Sequence, residues 1–423
     1  MTSSKRFDFV IVSFGTMGDV LPFIAVAQRL QRQGRRVTVV TNEQFRSSVA
    51  RAGVPMVAVG DETRQRRIVE APHTWTLRRG LTKVFQGLFP DPMQQFELLV
   101  EQFDPSAMIL IAHPFAMGCR LVQQCHGTLC ATVVLSPCLF RSVHQVPVMV
   151  RDWELGSMAR PLKRLMWWLA DRLLIDPAVT PQLKQACRQL GLDSVDRPFD
   201  GWMFSPDLTV GLFPHWFAPP QPDWPGQVEL AGFPQVDTGD SLPEKLDEFI
   251  NSGEPPVVAT TGSIPIDGRR FVAPFVKACR RIGLRGVIVG TDTGVLADDE
   301  QFCFTDFAPF GELFAHCRAV VHHGGIGTTA AALRAGIPQI VRPVSFDHPD
   351  HAARIVRLNI GRRLLPDAFS APRLTTMLEE VLSNSTIQQA CTHRANQPGA
   401  TEGIERTCQL LVHLPPSPDG PRG

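Results

Sequence analysis

The sequence contains no tyrosine among its 423 residues, although it contains 26 phenylalanines. A tyrosine phenol is therefore excluded as a catalytic acid, a catalytic base or a hydrogen-bonding aromatic partner in any site. Any aromatic surface that contacts a ligand must be built from phenylalanine, tryptophan or histidine.

The sequence also lacks an excess of charge of either sign, because 42 lysines and arginines nearly balance 41 aspartates and glutamates. Such a balance provides no overall basic field that would attract nucleic acid or an anionic membrane surface. We therefore expect no nucleic-acid partner, and an anionic ligand must be held by a local site.

Paired cysteines and long apolar runs are missing as well. The ten cysteines are scattered, with no C-x-x-C pair or other zinc-like spacing, which indicates reduced thiols in a cytoplasmic protein. No window reaches the roughly eighteen uninterrupted apolar residues of a membrane span. The apolar segment FDFVIVSF near the start is too short for a signal peptide and predicts a buried strand.

Strands and helices alternate in two parts of the chain, which predicts two parallel sheets in an α/β protein. The first part runs from FDFVIVSF through LCATVVLSP, and the second begins at PPVVATTGS. We expect residues 61–105 and 139–205 to be irregular excursions at the ends of the strands, where ligands bind. The proline-rich segment 212–246 predicts a semi-rigid hinge between two domains.

These patterns divide the chain into five predicted parts. They are an N-terminal domain (1–235), a linker (236–250), a C-terminal domain (251–384), a helical segment returning to the N-terminal domain (385–413) and a flexible tail (414–423).

The stretch VVHHGGIGTT, residues 320–329, connects a short buried strand to a helix. Its glycines allow a ligand to approach the backbone, and the helix N-terminus favours an anion such as a diphosphate. We expect His322 to face that diphosphate and His323 to pack or cap, because adjacent side chains of a strand point to opposite faces. The same alternation argues against a shared metal ion. A tight turn with a satisfied, buried histidine is the alternative.

The segment VVHHGGIGTTAAALRAGIPQIV followed by FDHPDHAARI resembles the donor-binding segment of nucleotide-sugar glycosyltransferases of the GT-B fold. SFGTMGDVLPFIAVAQRL and FAPFGELFAHCRAVVHHGG are similar to other parts of that family. GLFPHWFAPPQPDWPGQVELAGFP and WMFSPDL look most like the rhamnosyltransferases of rhamnolipid synthesis and their bacterial relatives. The resemblance covers essentially the whole chain and implies two Rossmann-like, doubly wound parallel-sheet domains that face a cleft. It implies that the N-terminal domain (1–235) binds the acceptor and that the C-terminal domain (251–384) binds the nucleotide sugar.

The resemblance also implies a set of donor-binding residues. Asp347 and His348 would hold the sugar, although the family usually has an Asp-Gln pair there, so His348 is a departure. Capping of the following helix is the alternative for Asp347, because Pro349 follows it. The residues carried over are Ser263, Phe307, Ala308, His322, Gly325, Gly327, Thr328, Asp347 and His348.

The acceptor side requires a base, since an inverting transfer is a single displacement in which a base takes the proton of the acceptor hydroxyl. The resemblance assigns this role to Asp19 in GTMGD, and helix capping is the alternative for that residue. His113 is a competing base, but we expect it to line the acceptor pocket together with Ser136 and Trp167.

No D-x-D pair occurs in the sequence. We therefore predict transfer without a metal ion, in which helix dipoles, backbone N–H groups and His322 stabilise the leaving diphosphate.

The segment MARPLKRLMWWLADRLL places basic side chains beside Trp167 and Trp168. An interfacial helix that loads a lipid-like acceptor has this composition. An ordinary amphipathic helix that covers a pocket has it too, and we favour the second interpretation because the number of basic residues is modest.

Together these features predict an inverting O-glycosyltransferase in the cytoplasm, with peripheral contact to the inner membrane left open. It would move a hexose or deoxyhexose from a UDP- or dTDP-sugar to a hydroxyl of a hydrophobic small molecule or lipid, with no cofactor besides this co-substrate. A narrower hypothesis is rhamnosyl transfer from dTDP-rhamnose to a hydroxy-fatty-acid dimer. A nucleotide-sugar epimerase and a non-catalytic GT-B partner protein are the alternatives from other classes.

Overall fold

The computed structural model describes residues 7–60, 63, 67–68, 71, 77–150, 153–236, 240–262, 268–290 and 300–414. Ser263 and the predicted tail beyond residue 414 lie outside the described residues. The described chain forms two parallel sheets, one in each half, which confirms the predicted pair of Rossmann-like domains.

The N-terminal sheet has seven parallel strands in the order β3-β2-β1-β4-β5-β6-β7. Its central strands are short runs of apolar residues that are buried along almost their whole length, as expected for a sheet covered by helices on both faces. The strands are β1 (Asp8–Val12), β2 (Arg36–Thr41), β3 (Met56–Ala58), β4 (Met108–Ala112), β5 (Leu129–Val134), β6 (Leu208–Gly211) and β7 (Val228–Leu230).

The C-terminal sheet has six parallel strands in the order β10-β9-β8-β11-β12-β13. Its order reverses direction beside β8, and such a switch point opens a crevice at the carboxyl ends of the strands. The strands are β8 (Val257–Thr260), β9 (Gly286–Val289), β10 (Phe302–Thr305), β11 (Ala319–His322), β12 (Gln339–Val341) and β13 (Gly361–Arg363).

Helices connect the strands and cover both sheets. Several end at a glycine with a left-handed backbone, such as Gly127 with φ 65° after α5, which only glycine adopts without strain. The α-helices are α1 (Met17–Arg32), α2 (Arg46–Arg51), α3 (Leu77–Gly87), α4 (Pro92–Gln102), α5 (Met117–His126), α6 (Arg160–Ala170), α7 (Asp176–Gln189), α8 (Glu244–Asn251), α9 (Gly268–Arg281), α10 (Phe310–Leu313), α11 (Ile326–Arg334), α12 (His348–Arg357), α13 (Ala371–Ser383), α14 (Ser385–Ala395) and α15 (Gly403–Val412).

The two excursions that were predicted to be irregular contain four of these helices, α3 and α4 in the first and α6 and α7 in the second. Proline occupies the first turn of three of them, at Pro92, Pro161 and Pro177. A proline in that position lacks only an N–H that has no partner inside the helix. These prolines therefore mark helix starts, and the prediction of irregular structure for these two segments was wrong.

The proline-rich segment is not the predicted hinge, because most of it belongs to the N-terminal domain. It contains β7, and the side chains of Phe213, Phe217 and Phe233 are buried between its prolines. The predicted linker also contains α8, whose Leu246 and Ile250 pack in the C-terminal core.

The last two helices pack on different domains, whereas 385–413 was predicted to return to the N-terminal domain as one segment. The α14 helix packs on α11 and α13 in the C-terminal half. The α15 helix packs on α1, where Glu405 pairs with Arg29 and Cys408 joins the apolar core of the N-terminal domain. None of the described helices combines the length and the hydropathy needed to cross a membrane.

Candidate active site

A cavity of about 990 Å³ lies between the two domains. The residues that line it include several that lie beyond the carboxyl ends of strands of both sheets, the position where parallel sheets bind ligands. On the N-terminal side these are Asp19, His113 and Ser136, and on the C-terminal side they include His323 and Asp347. Residues from both halves of the sequence therefore meet in one site.

Asp19 uses its two carboxylate oxygens in different ways. The Thr16 backbone N–H donates to Oδ2 at 2.7 Å, and the Thr16 hydroxyl donates to the same oxygen at 2.9 Å. Thr16 is the N-cap of α1, so this oxygen stabilises the start of the helix. The other oxygen, Oδ1, lies 3.9 Å from Nε2 of His113 and is not needed for the cap. The capping alternative thus accounts for one oxygen of Asp19 only.

The position of Asp19 raises its pKa. The side chain is 35% exposed within the cleft, but the surrounding protein withdraws it from bulk water. This desolvation raises the pKa of Asp19 to about 6, while the hydrogen bonds from Thr16 oppose the rise and the negative charge of Asp347 adds to it. A carboxylate with such a pKa is well matched to accept a proton near neutral pH.

His113 is held as a neutral hydrogen-bond donor. Its Nδ1 accepts the backbone N–H of Phe115 at 3.2 Å, so the proton of the neutral ring is on Nε2, the atom that faces Asp19. Burial lowers the pKa of His113 to about 3. The ring stacks on Phe89 with an angle of 11° between the planes. Because Nε2 carries the proton, this geometry suits His113 to lining the pocket better than to acting as the base.

The placements predicted for the two histidines of VVHHGGIGTT are reversed in the structure. His322 is completely buried, and Gly324 donates its N–H to Nδ1 at 3.2 Å. The Nε2 proton of His322 is therefore directed to Oε1 of Gln339 on the neighbouring strand, at 3.0 Å. His322 does not line the cavity, whereas His323 does. The prediction assigned the faces wrongly because Gln339 provides a polar partner for His322 inside the sheet.

His323 lies in a narrow seat between two glycines. A Cβ atom at Gly262 would lie 2.3 Å from Cε1 of the ring, and one at Gly325 would lie 2.5 Å from Nε2. Burial lowers the pKa of His323 well below its ordinary value, although a contact to the backbone of Thr260 opposes this. Within the described part of the chain, Nδ1 of His323 is buried without a hydrogen-bond partner. The neutral ring of His323 lines the cavity, so it can contact a ligand in the cleft.

The glycine-rich turn begins α11 at the edge of the cavity. Gly325 is the N-cap, and Gly327 and Thr328 belong to the first helical turn, whose N–H groups have no partner inside the helix. A Cβ atom at Gly327 would meet nothing within 4 Å. Gly324 has a φ of 103°, and its lack of a side chain lets α12 approach, since a Cβ there would lie 3.0 Å from the Cβ of His348.

Asp347 and His348 lie on the same wall as this turn. The Asp347 carboxylate is 3.8 Å from Nε2 of His348 and 3.7 Å from Nε2 of His351. Asp347 precedes α12, but its side chain makes no capping hydrogen bond, so the capping alternative is not what the structure shows. Burial lowers the pKa of His348 to about 3, which leaves the ring neutral beside the carboxylate.

Phe307 and Ala308 line the cavity after β10. The Phe307 side chain is 40% exposed, whereas Ala308 is buried. The hydroxyl of Thr305 donates to the carbonyl oxygen of Phe307 at 2.8 Å and holds this loop in place. Ser263, the remaining predicted donor residue, lies outside the described residues.

The predicted acceptor residues Ser136 and Trp167 also line the cavity. Ser136 lies 2.9 Å from Nε2 of His351, so it joins the two domains. The guanidinium of Arg141 covers the ring of Trp167 at 5.0 Å from its centroid. Both residues therefore have structural partners in addition to their places in the cavity wall.

Sequence reasoning missed the apolar wall that α3 and the residues after it contribute to the cavity. These residues follow the spacing i, i+3, i+4, i+7, i+8 of an amphipathic helix, so a periodicity count over 77–89 would have found them. They are Leu81, Val84, Phe85, Leu88 and Phe89.

Two family models match the chain. The Glycosyltransferase family 28 N-terminal domain matches residues 9–124, and the Erythromycin biosynthesis protein CIII-like C-terminal domain matches residues 291–410.

Curated relatives match over most of the chain. O-mycaminosyltylonolide 6-deoxyallosyltransferase of Streptomyces fradiae is 28% identical, over 95% of this chain and 96% of the relative. A sterol 3-beta-glucosyltransferase of Arabidopsis thaliana is 26% identical over 90% of this chain, which spans 61% of that relative.

Solved structures share the fold. The glycosyltransferase of kitacinnamycin superposes with a TM-score of 0.75 at 16% identity, covering 97% of this chain and all of that chain. VinC, solved in complex with dTDP, superposes with a TM-score of 0.70 at 16% identity, covering 96% of this chain and 99% of that chain.

Proposed function

Because the chain is a nucleotide-sugar glycosyltransferase of the GT-B fold, we propose that it transfers the sugar of a UDP- or dTDP-sugar to a hydroxyl group of a hydrophobic small molecule, with inversion. One observation carries the proposal. Asp19, with a pKa of about 6, and the turn that contains His323 line the same cavity from opposite domains. A proton acceptor and an anion-binding turn in one cavity are the two parts that a glycosyl transfer requires.

In the proposed step, Oδ1 of Asp19 takes the proton of the acceptor hydroxyl. The hydroxyl oxygen forms a bond to the anomeric carbon, and the bond from that carbon to the diphosphate oxygen breaks. The bonding electrons leave with the nucleoside diphosphate. One displacement from the face opposite the leaving group inverts the anomeric configuration.

The leaving diphosphate gains negative charge, and the C-terminal wall offers neutral hydrogen-bond donors for it. These are the N–H groups at the start of α11, His323 and the hydroxyl of Thr328. Preorganised donors of this kind stabilise developing charge without a cation. We therefore propose that the transfer needs no metal ion.

The acceptor wall supports a hydrophobic acceptor, because it is built from the apolar side chains of α3 and α6. A sterol or polyketide hydroxyl fits such a wall, in agreement with the names of the relatives. The narrower candidate is rhamnosyl transfer from dTDP-rhamnose to a hydroxy-fatty-acid dimer. The resemblance of the sequence and the apolar wall support it, and an acceptor panel distinguishes the two candidates.

The test incubates the purified chain with UDP- and dTDP-sugars and with sterol, polyketide and hydroxy-fatty-acid acceptors, with and without a chelator. We expect a glycosylated product whose anomeric configuration, measured by NMR, is opposite to that of the donor, and full activity in chelator. Retained configuration or a strict divalent-ion requirement would contradict the mechanism. An altered free sugar would favour the epimerase alternative, and donor binding without any turnover would favour the non-catalytic one.

A further inference from the structure

A large apolar surface adjoins the cavity, on the outer side of α6 and the segments beside it. The described residues include eleven exposed large apolar side chains, and eight of them lie between Val150 and Leu174. We call this surface the leucine face. Its members are Val150, Trp153, Leu162, Leu165, Trp168, Leu169, Leu173 and Leu174.

The exposed charges along the helical part of the leucine face have one sign. Arg160, Arg164 and Arg172 are exposed there. The one acidic residue between positions 158 and 175 is Asp171, which is completely buried and paired with two partly buried arginines, Arg141 and Arg197. Its negative charge is therefore neutralised inside the protein and does not offset the exposed arginines.

The leucine face is continuous with the cavity. The other side of α6 contributes Met166 and Trp167 to the cavity wall. In the π-helical turn Asp171–Ile175 that follows, Leu173 is 69% exposed and Leu174 lines the cavity. Val150 and Trp153 likewise belong to both surfaces. An apolar molecule could thus pass from this surface into the cavity without crossing a polar barrier on α6.

We propose that the leucine face docks on an anionic lipid surface and that the acceptor passes from this surface into the cavity. Along the helical part of the leucine face, exposed leucine and tryptophan lie beside arginine with no exposed acid, which is the composition of helices that lie in a membrane interface. The exposed acid beside Trp153, Glu154, lies 3.7 Å from Arg357 of the protein. Anionic headgroups attract the arginines, while the apolar side chains are buried among the acyl chains. The docking part is independent of the proposed function, and the loading part rests on it.

Flotation of the purified chain with lipid vesicles tests the docking part. We expect the chain to bind vesicles of phosphatidylglycerol and phosphatidylcholine and not vesicles of phosphatidylcholine alone. The variant Arg164→Glu with Arg172→Glu should lose affinity for the anionic vesicles by about tenfold or more, since each basic residue near the surface contributes to binding. The matched control is Arg35→Glu with Arg318→Glu, which changes the net charge equally at the strand ends opposite the cleft and should bind as the wild type does.

A second variant, Leu165→Gln with Leu169→Gln, leaves the charge unchanged and also should lose vesicle binding. Neither leucine lines the cavity, so turnover of a short-chain, water-soluble acceptor should stay normal while turnover of an acceptor embedded in anionic vesicles falls. The proposal would be overturned if the wild-type protein did not bind anionic vesicles, or if the variants bound them as the wild type does. A dimer that the glutamine variant dissociates would also overturn it, since the face would then contact a second copy.

The two proposals can fail separately. Vesicle flotation needs neither donor nor acceptor, and binding of UDP or dTDP measured by calorimetry does not need lipid. Absent nucleotide binding with normal flotation would contradict the proposed function only. Normal transfer to a soluble acceptor without flotation would contradict the leucine face only.

Discussion

The two walls of the cleft are built on different principles. The C-terminal wall is compact in sequence, since its lining residues lie between Thr260 and His348. Its polar groups are backbone N–H donors, neutral histidines and charged side chains, which are Asp306, Glu312, Arg334 and Asp347. The N-terminal wall collects residues from Thr16 to Gln235 and is mostly apolar. Among its described residues it holds one carboxylate, Asp19, beside the neutral ring of His113.

This difference indicates a division of labour between the walls. Rigid backbone donors and histidines that stay uncharged suit a ligand whose anionic group is always the same. Apolar side chains on several helices suit an acceptor recognised by size and shape, and such walls change by substitution without loss of the sheet behind them. The rate of the chemical step should therefore depend on few residues of either wall, whereas the affinity for the ligands should depend on many.

Replacing Asp19 with Asn should have the largest effect, because Asp19 is the one carboxylate among the described residues of the N-terminal wall and is proposed as the base. We expect turnover to fall by about 10²- to 10⁴-fold. The amide oxygen of Asn can still accept the N–H of Thr16, so the helix start and the melting temperature should change little. Steady-state kinetics at saturating donor, together with thermal unfolding, measure both quantities.

The control for this prediction is Thr16→Ala, which removes the hydroxyl donor to Oδ2 and keeps the carboxylate. It should lower stability slightly and leave most of the turnover intact. If Asp19→Asn turns over at a near-normal rate, Asp19 is a capping residue only, and the two walls do not divide the chemistry as proposed.

The adjacent histidines should separate binding from stability. His323→Ala should weaken binding of the nucleoside diphosphate by about 10- to 100-fold, the loss expected for one hydrogen bond to a charged group. His322→Ala should leave binding nearly unchanged but lower the free energy of unfolding by about 1–3 kcal/mol, because Gln339 loses its buried partner. Calorimetry with UDP and dTDP and chemical denaturation measure the two effects.

The opposite result, with His322→Ala losing nucleotide binding and His323→Ala losing stability, would restore the assignment made from the sequence. That outcome would require the strand to present His322 to the cleft, which its contacts with Gln339 and Gly324 oppose.

The same pair of histidines shows which features of the site the sequence could predict and which it could not. Alternating strands and helices predicted both sheets, and the glycine-rich turn was recognisable because its residues are contiguous. Which histidine faces the cleft depends on Gln339, seventeen residues later. Its side chain forms a hydrogen bond with His322 from the neighbouring strand. Strand alternation alone showed that the two rings point to opposite sides, but it could not show which ring faces the cleft.

The N-terminal wall was less predictable for a related reason. The positions of Asp19 and His113 follow from their places after β1 and β4, which the sequence indicated. The apolar wall of α3 was missed because 61–105 was treated as irregular, although its apolar residues recur at helical spacing. The prolines of 212–246 led to the prediction of a hinge, but the phenylalanines between them are buried in the N-terminal domain.

The pH dependence of catalysis should follow the carboxylate of Asp19 and not the neutral histidine rings of the cleft. The pKa of Asp19 is raised to about 6, so kcat/KM should fall about tenfold per pH unit below that value as the base is protonated. His113 should add no second transition near neutrality, because burial lowers its pKa to about 3. A pH profile of kcat/KM with a transition near 4, the ordinary range of an exposed carboxylate, would contradict the raised pKa.

Stability should fall over the same pH range. Burial lowers the pKa of His113, His322 and His348 to about 3 in the folded state, so the unfolded chain takes up protons first as the pH falls below about 6.5. Between the two pKa values, each of these histidines lowers the free energy of unfolding by about 1.4 kcal/mol for every pH unit of acidification. The raised pKa of Asp19 acts in the opposite direction, because the folded state binds that proton first. Denaturant unfolding at several pH values measures the net loss, and full recovery of activity on return to neutral pH separates protonation of the base from unfolding.

The smallest effect should come from the contact that joins the walls. His351 donates from Nδ1 to the carbonyl of Gly324 at 2.8 Å, so its Nε2 accepts the hydroxyl of Ser136 at 2.9 Å across the domain boundary. Ser136→Ala removes that hydrogen bond and should lower the free energy of unfolding by about 1 kcal/mol. Because His351 also holds the glycine-rich turn, nucleotide affinity should fall about threefold. Ser383→Ala, which removes an exposed hydroxyl on α13, should change neither quantity. Unchanged nucleotide affinity in Ser136→Ala would mean that the two walls recognise their ligands independently.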